Sequence, residues 1–154
     1  MMFSENRVLV SMPGESRESL LQRMARALFD EGFVKDDFSH SVILREAEYP
    51  TGIDMETHSI AIPHAEFEHV IRTGFTITLN HGMVEFHRTD EPEQVIVPTI
   101  IVMMAIAPDR EKVTLIQSLF QFLGDEETVK KLVRLSSAEV ARFFTQAMHT
   151  EGEI

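Results

Sequence analysis

The chain has 154 residues, of which 44% are hydrophobic and 25% are charged, proportions that predict one globular domain. Its formal net charge of −11 at pH 7 argues against a nucleic-acid backbone or an anionic membrane surface as a partner. Because the chain contains no cysteine, disulfides, thiolate catalysis and sulfur-ligated metal sites are excluded.

The apolar runs of the sequence indicate where in the cell the protein is located. We expect a cytoplasmic protein, because the N-terminus MMFSENRVLV lacks the basic region and apolar core of a secretory signal peptide. The longest apolar run, 100–107, is far shorter than the ~20 residues that a membrane-spanning helix requires. We therefore expect no direct membrane insertion, and any role in transport would place the membrane step in another chain.

Two helices are predicted in the first third of the chain. The first covers about 17–31, between the N-cap Ser16 and Gly32. Its apolar stripe comprises Leu20, Leu21, Met24, Ala25, Leu28 and Phe29. The second begins near Asp37 and must end before Pro50, because residues that precede proline avoid the α conformation. Its inward-facing residues are predicted to be Phe38, Val42, Ile43 and Ala47.

The middle of the chain has the patterns of turns and strands. YPTGI (49–53) is typical of a turn, and Ile60-Ala61-Ile62 predicts a short buried strand. Residues 75–79 alternate apolar residues with threonine, which predicts a strand with one apolar face. A short strand is expected at 84–86, and a solvated loop at DEPEQ (90–94). The stretch 95–106 predicts a central strand that is covered on both faces.

Helical spacing returns after Pro108. Three helices are predicted, with apolar residues Val113, Ile116, Leu119, Phe120 and Leu123 in the first, Val129, Leu132 and Val133 in the second, and Val140, Phe143, Phe144 and Ala147 in the third. Gly124 ends the first helix, Asp125 caps the second, and Ser136 with Glu139 forms a capping box for the third. The tail 149–154 is expected to fray. Helices at both ends with strands between them predict an α/β domain, with a mixed β-sheet flanked by helices on both faces.

Three neighbouring histidines raise a metal-binding hypothesis. His58, His64 and His69 are separated by six and five residues, with Glu66 and Glu68 among them. Zinc ligands on helices favour spacings of three or four residues, and no H-E-x-x-H signature occurs. The pattern therefore supports a metal site only weakly. G-x-S-x-G and glycine-rich phosphate loops are also absent, which argues against a serine hydrolase and an ATP-binding kinase.

His64 is the strongest candidate for chemistry. It follows the predicted strand and Pro63, whose fixed φ and missing N–H suit the end of a strand. A neutral imidazole can accept a phosphoryl group and pass it on, provided that cationic or N–H groups surround the phosphate. Arg45 can supply the cationic group, and the backbone of 51–52 can supply the N–H groups. The alternative is that these residues have no chemical role. His64 would then be a polar residue at the end of a strand, Arg45 a solvated helix residue, and 51–52 part of an ordinary turn.

The motifs around these residues resemble those of the enzyme IIA components of the bacterial sugar phosphotransferase system, fructose–mannitol class. In that class Arg-Glu, Thr-Gly-(Ile/Leu) and (Ile/Val)-Pro-His recur in this order. Here they are Arg45-Glu46, Pro50-Thr51-Gly52-Ile53 and Ile62-Pro63-His64. The resemblance covers about 16–146, and it implies a single type-2 enzyme IIA domain over 1–154.

The resemblance implies a phosphohistidine relay without a cofactor. His64 would accept a phosphoryl group from the histidine-containing phosphocarrier protein and donate it to a cysteine of enzyme IIB. Enzyme IIC, the membrane component, would then phosphorylate the sugar as it enters. Arg45 would stabilise the phosphate, and Thr51 and Gly52 would line the site. Glu46 would orient Arg45 or hold the turn.

One position departs from the family pattern. Many mannitol- and fructose-type members carry a second histidine at the start of the helix after the long strand, where this chain has Lys112. A lysine can still neutralise phosphate as a flexible point charge, and His40 or His81 is an alternative in space. This departure, with YPTGI and IPHAEFEHV, makes the chain similar to the galactitol-type branch. A regulatory module that senses phosphorylation remains an alternative, as does the metal-binding protein.

Overall fold

A computed structural model describes residues 1–108 and 112–148 of the chain. The strands in these ranges are β1 Val8–Val10, β2 Gly52–Asp54, β3 Ser59–Ala61, β4 Gly74–Leu79, β5 Phe86–His87, β6 Val95–Ile96 and β7 Ile100–Ala105. The α-helices there are α1 Arg17–Asp30, α2 Phe38–Glu48, α3 Lys112–Leu123, α4 Glu126–Leu132 and α5 Ser137–Ala147. Short 3-10 helices lie at Glu5–Arg7 and Phe67–His69.

The main sheet is mixed, as predicted. Its strand order is β1-β4-β7-β3-β2. The pairs β1–β4 and β3–β7 are parallel, whereas β4–β7 and β2–β3 are antiparallel. Strands β5 and β6 form a separate antiparallel ribbon.

Helices cover both faces of this sheet, which confirms the predicted layering. All six residues of β7 are buried, and they alternate between two cores. Ile100, Val102 and Met104 pack with α3, α4 and α5, whereas Ile101, Met103 and Ala105 pack with α1 and α2. Strand β7 is therefore the central strand, with both of its faces apolar. No helix among the described residues combines the length and the apolarity needed to cross a bilayer.

Proline divides the stretch that was predicted as one strand over 95–106. β6 ends at Ile96, and β7 begins only after Pro98, which has no N–H to donate to a sheet. β6 pairs with β5 instead and is largely exposed. The prediction of a central strand is thus right for 100–105 and wrong for the part before Pro98. The short strand predicted at 84–86 is also displaced, since β5 covers Phe86–His87.

Strand β4 is buried on its threonine face as well as on its apolar face. Thr76 and Thr78 are both 0% exposed, so the polar face opposite the predicted apolar face is buried as well. The Thr76 hydroxyl donates to the Met24 carbonyl oxygen of α1 at 2.9 Å. Because a helix carbonyl can satisfy a threonine hydroxyl, alternation with threonine does not require solvent on that face.

Most predicted helix starts and faces are confirmed. The Ser16 hydroxyl caps α1, and the Ser136–Glu139 capping box opens α5. Asp37 and Asp125 precede their helices without a side-chain cap bond. Four residues predicted to belong to apolar helix faces are exposed instead: Phe29, Ala47, Val113 and Ala147. Glu46 is buried next to Ala47, and Leu115 replaces Val113 in the core. The tail 149–154 lies outside the described residues.

Candidate active site

His64 lies where β3 ends, beside the carboxyl end of β7. Pro63 cannot donate a hydrogen bond, but its carbonyl oxygen accepts one from the Met104 N–H at 2.9 Å. His64 then forms an isolated parallel bridge with Met104. The proline therefore ends regular pairing while the neighbouring strand still fixes the backbone of the histidine.

The imidazole of His64 is oriented through Nδ1, which lies 2.9 Å from the Ile62 carbonyl oxygen. A carbonyl only accepts, so Nδ1 carries the proton and Nε2 keeps its lone pair. Burial is the main cause that lowers the pKa of His64, and the cations Lys112 and Arg45 add to it, against the opposite effects of the Ile62 carbonyl and Glu66. The half-buried ring is therefore neutral near pH 7, and Nε2 is a competent nucleophile.

Arg45 lies in the last turn of α2 and reaches the loop that carries His64. Its guanidinium forms an ion pair with Glu66, two residues after His64. The same group lies 5.7 Å from the centre of the Tyr49 ring. Its Nε is buried and has no hydrogen-bond partner within the described part of the chain. Arg45 thus retains donor capacity beyond its ion pair.

Lys112 lies in the first turn of α3, the helix that follows β7. Because β3 and β7 are parallel, the chain leaves both strands at the same edge of the sheet, which brings Lys112 to His64. Both residues line a shallow cavity of about 50 Å³, together with Ala65, Glu66, Phe67, Met104 and Ile106.

His40 and His81 do not line this cavity. His81 follows β4 at Leu79, whose partner Ile100 lies at the opposite end of β7 from Met104. His40 lies exposed in the first turn of α2, whereas Arg45 occupies its last turn. Within the part of the chain that the structure describes, the cation at the start of α3 that lines the cavity with His64 is therefore Lys112.

Glu46 and Thr51 hold the turn between α2 and β2. The Glu46 side chain is only 4% exposed. Its carboxylate accepts hydrogen bonds from the Thr51 N–H at 2.8 Å and from the Thr51 hydroxyl at 2.7 Å. Burial raises the pKa of Glu46 to about 7, although these two hydrogen bonds oppose the increase. Of the two roles expected for Glu46, its contacts correspond to holding the turn.

Gly52 permits a close approach between β2 and the β5–β6 ribbon. A Cβ at this position would lie 2.5 Å from the His87 carbonyl oxygen and 2.8 Å from Ile96 Cδ1. Gly52 pairs with Ala61 of β3, three residues before His64. Neither Gly52 nor Thr51 lines the cavity beside His64. Both residues instead position the strand that leads to the histidine.

The three histidines of the metal hypothesis make separate contacts. His58 Nε2 lies 2.6 Å from the Leu123 carbonyl oxygen, and His69 Nδ1 lies 3.0 Å from an Asp37 carboxylate oxygen. Across residues 1–108 and 112–148, no group of three or more metal-ligating side chains is close enough to hold an ion. The described residues therefore offer the metal hypothesis no site.

Glu66 and Phe67 belong to the site, although the sequence predictions gave them no role in phosphate chemistry. Glu66 pairs with Arg45, and Phe67 is 60% exposed at the cavity. The only signal in the sequence is their place within three residues of His64. The ion pair itself depends on how α2 packs beside this loop.

Comparison with known proteins gives the family. Residues 1–147 match the family model described as "Phosphoenolpyruvate-dependent sugar phosphotransferase system, EIIA 2". The galactitol-specific EIIA component of Escherichia coli is 30% identical over 130 residues, which cover 84% of this chain and 86% of that relative.

Solved structures share the fold. The complex of enzyme IIAMTL and phosphorylated enzyme IIBMTL from Escherichia coli matches with a TM-score of 0.73 at 18% identity, covering 94% of this chain and 95% of that one. The crystal structure of IIA mannitol from Escherichia coli matches with the same TM-score and identity, covering 97% and 100%. The chain belongs to the EIIA 2 family of the phosphoenolpyruvate-dependent sugar phosphotransferase system, and it is a phosphotransferase component of the phosphohistidine-relay type.

Proposed function

We propose that Nε2 of His64 accepts a phosphoryl group from the histidine-containing phosphocarrier protein and passes it to a cysteine of enzyme IIB. The observation that carries this proposal is the state of the imidazole, which is neutral, held by Nδ1 against the Ile62 carbonyl, and flanked by Arg45 and Lys112. Such a ring presents a lone pair to the phosphorus and cations to its oxygens.

In the first step, the Nε2 lone pair of His64 attacks phosphorus on the phosphorylated carrier. The bond between phosphorus and the carrier imidazole breaks, and its electron pair returns to that imidazole nitrogen. Each ring keeps the proton on its other nitrogen, so the exchange requires no external acid or base. The Ile62 carbonyl accepts from Nδ1–H and stabilises the positive charge that the phosphorylated ring acquires.

In the second step, a thiolate of enzyme IIB attacks the same phosphorus. The bond from phosphorus to Nε2 breaks, and its electron pair returns to His64. This chain has no cysteine, so the thiolate must come from another protein or domain. The imidazole of His64 is then neutral again, with Nδ1–H bonded to the Ile62 carbonyl oxygen as before. His64 can therefore accept another phosphoryl group.

Arg45 and Lys112 supply the charge that a phosphoryl group requires. Phosphorylation adds about −1.5 to −2 charges near neutral pH. Two cations close enough to influence the His64 ring attract this negative charge. Glu46, Thr51 and Gly52 contribute indirectly, because they position the end of α2 and the strand before His64.

Galactitol or a related sugar is the proposed final acceptor of the phosphoryl group. The support is the galactitol-specific relative, which is 30% identical to this chain. In this scheme the chain works in the cytoplasm, and enzyme IIC transfers the phosphoryl group from enzyme IIB to the sugar during uptake. Purified enzyme IIB of the galactitol system is therefore the first acceptor to test.

The direct test is phosphorylation by the general phosphocarrier system with phosphoenolpyruvate. We expect an acid-labile, base-stable phosphate on the wild type and on a His69→Gln control, but none on His64→Gln. Stoichiometric labelling of the His64→Gln variant would show that the nucleophile is a different residue. Loss of the label on addition of enzyme IIB, with its appearance on enzyme IIB, would establish the second step.

A further inference from the structure

We propose that Glu66 sets the phosphoryl-transfer potential of His64, because its carboxylate competes with the phosphoryl group for Arg45. This inference rests on the function proposed above and concerns the same site. It assigns Glu66 as a positioning residue, which acts on the phosphoryl group through Arg45 and through its own charge.

The contacts place Glu66 beside both the nucleophile and its cation. Its carboxylate forms the ion pair with Arg45, and its side chain lines the cavity that contains His64 and Lys112. Glu66 is 53% exposed as a side chain, so its replacement leaves the core intact. The structure therefore shows Arg45 already engaged before any phosphoryl group arrives.

The charges around His64 do not balance once it is phosphorylated. Among the described residues, Arg45 and Lys112 supply two positive charges and Glu66 one negative charge, which leaves a net charge of +1 for a group that brings about −1.5 to −2. Arg45 must then leave Glu66 or share its donors, and the carboxylate remains beside a dianion. Both effects destabilise the phosphorylated form relative to the free form.

A relay protein benefits from such destabilisation. A phosphoryl group held too tightly would be accepted readily and released slowly, which would trap it on His64. Interactions that bind the phosphorylated form without favouring the transition state bring no gain in the transfer rate. A carboxylate that competes for Arg45 keeps the equilibrium constants of both transfers, from the carrier to His64 and from His64 to enzyme IIB, close to one.

The test compares Glu66→Gln with Glu68→Gln, which removes the same charge from the short 3-10 helix that directly follows Glu66. Glu68 is 71% exposed, and its described ion-pair contact is His69 at 3.8 Å. Each protein is equilibrated with the phosphorylated carrier, and the phosphorylated fractions are measured by ³¹P NMR. We expect Glu66→Gln to shift the equilibrium toward phosphorylated His64 about three- to fivefold, the upper part of the range for an exposed ion pair, and Glu68→Gln to leave it nearly unchanged.

An Arg45→Gln background separates competition from simple repulsion. In the Arg45→Gln background, Glu66→Gln should shift the phosphorylation equilibrium less, because Arg45, for which the Glu66 carboxylate and the phosphoryl group compete, is absent. A second readout is the NMR titration of the His64 ring, in which Glu66→Gln should lower the pKa further and Glu68→Gln should not. Equal equilibria for the wild type and Glu66→Gln would overturn the inference.

Phosphoramidate distinguishes this failure from failure of the proposed function. It phosphorylates imidazole directly, with cleavage of its own P–N bond and release of ammonia, so the equilibrium at His64 is measurable without the carrier. If the carrier does not label His64 but Glu66→Gln still shifts the phosphoramidate equilibrium, the proposed partner is wrong and the role of Glu66 stands. A His64→Gln sample identifies the relevant ³¹P resonance.

Discussion

Replacing Glu46 by glutamine tests whether burial of the carboxyl group that holds the turn after α2 makes the stability of the domain depend on pH. The carboxylate accepts two hydrogen bonds from Thr51, yet it is almost completely buried. Burial raises its pKa from 4.5 to about 7. Glutamine has nearly the same shape and cannot ionise. Its amide oxygen can accept from the Thr51 N–H, and its NH2 group then donates to the Thr51 hydroxyl oxygen, so one of the two hydrogen bonds reverses direction.

The size of the effect follows from the two pKa values. In the unfolded chain the carboxyl group titrates near 4.5, and in the folded protein at about 7, so the folded state binds this proton more tightly. The free energy of unfolding therefore falls as the pH rises through this window. At ~1.4 kcal/mol per pH unit, the contribution of Glu46 amounts to about 3 kcal/mol.

Urea denaturation of the wild type and Glu46→Gln between pH 4 and 8 is the assay. Groups that titrate alike in both proteins cancel in the difference between the two free energies. We expect the wild type to lose about 3 kcal/mol relative to Glu46→Gln as the pH rises from 4.5 to 7. Glu48→Gln, an exposed change on the same helix, should show no such trend. A flat difference for Glu46→Gln would refute the reasoning.

Three further predictions concern the strand before His64, its protonation and its cation. Gly52→Ala should destabilise the domain by about 1–3 kcal/mol in urea denaturation, because its Cβ would overlap the His87 carbonyl oxygen. The rate of phosphoryl acceptance should decline on acidification with a midpoint below pH 6.5, since the pKa of His64 is lowered; rapid-quench kinetics would measure this. Lys112→Gln should slow acceptance and raise the pKa of His64 in an NMR titration, because a nearby cation is removed.

Each of these predictions has an outcome that contradicts it. Unchanged stability of Gly52→Ala would show that the ribbon can move away from β2. A rate that halves near pH 6.5 would mean that the surroundings of His64 do not disfavour its charged form. Lys130→Gln, on the exposed side of α4, is the matched control for Lys112→Gln, and equal kinetics for these two variants would remove Lys112 from the site.

Helix starts and strand ends were predictable where one short segment contains the whole cause. The Ser16 cap and the Ser136–Glu139 box each satisfy backbone N–H groups within three residues. Pro98 interrupts a ladder through its own missing N–H, yet the prediction overlooked it, because a continuous apolar run favours one long strand. Both signals, the apolar run and Pro98, were present in the sequence, and the prediction gave too much weight to the apolar run.

Burial was harder to predict, because it depends on what packs opposite. Glu46 is buried and Ala47 is exposed, the reverse of their hydrophobicity. The Thr51 donors satisfy the buried carboxylate of Glu46, and these donors come from a turn that a helical pattern does not reveal. The buried hydroxyl of Thr76 likewise depends on a carbonyl group of α1.

The sequence by itself determined the mixed α/β architecture and the serine caps of α1 and α5, and it singled out His64 as the proposed nucleophile, because periodicity, capping residues and the Ile62-Pro63-His64 motif are local properties of the chain. Only the tertiary structure decided which groups surround that nucleophile. The parallel pairing of β3 with β7 brings Lys112 to His64, and the ion pair of Arg45 with Glu66 joins α2 to the loop after it. Charges act through distance in space, and residues 19 to 48 positions away in sequence become neighbours only after the sheet has formed.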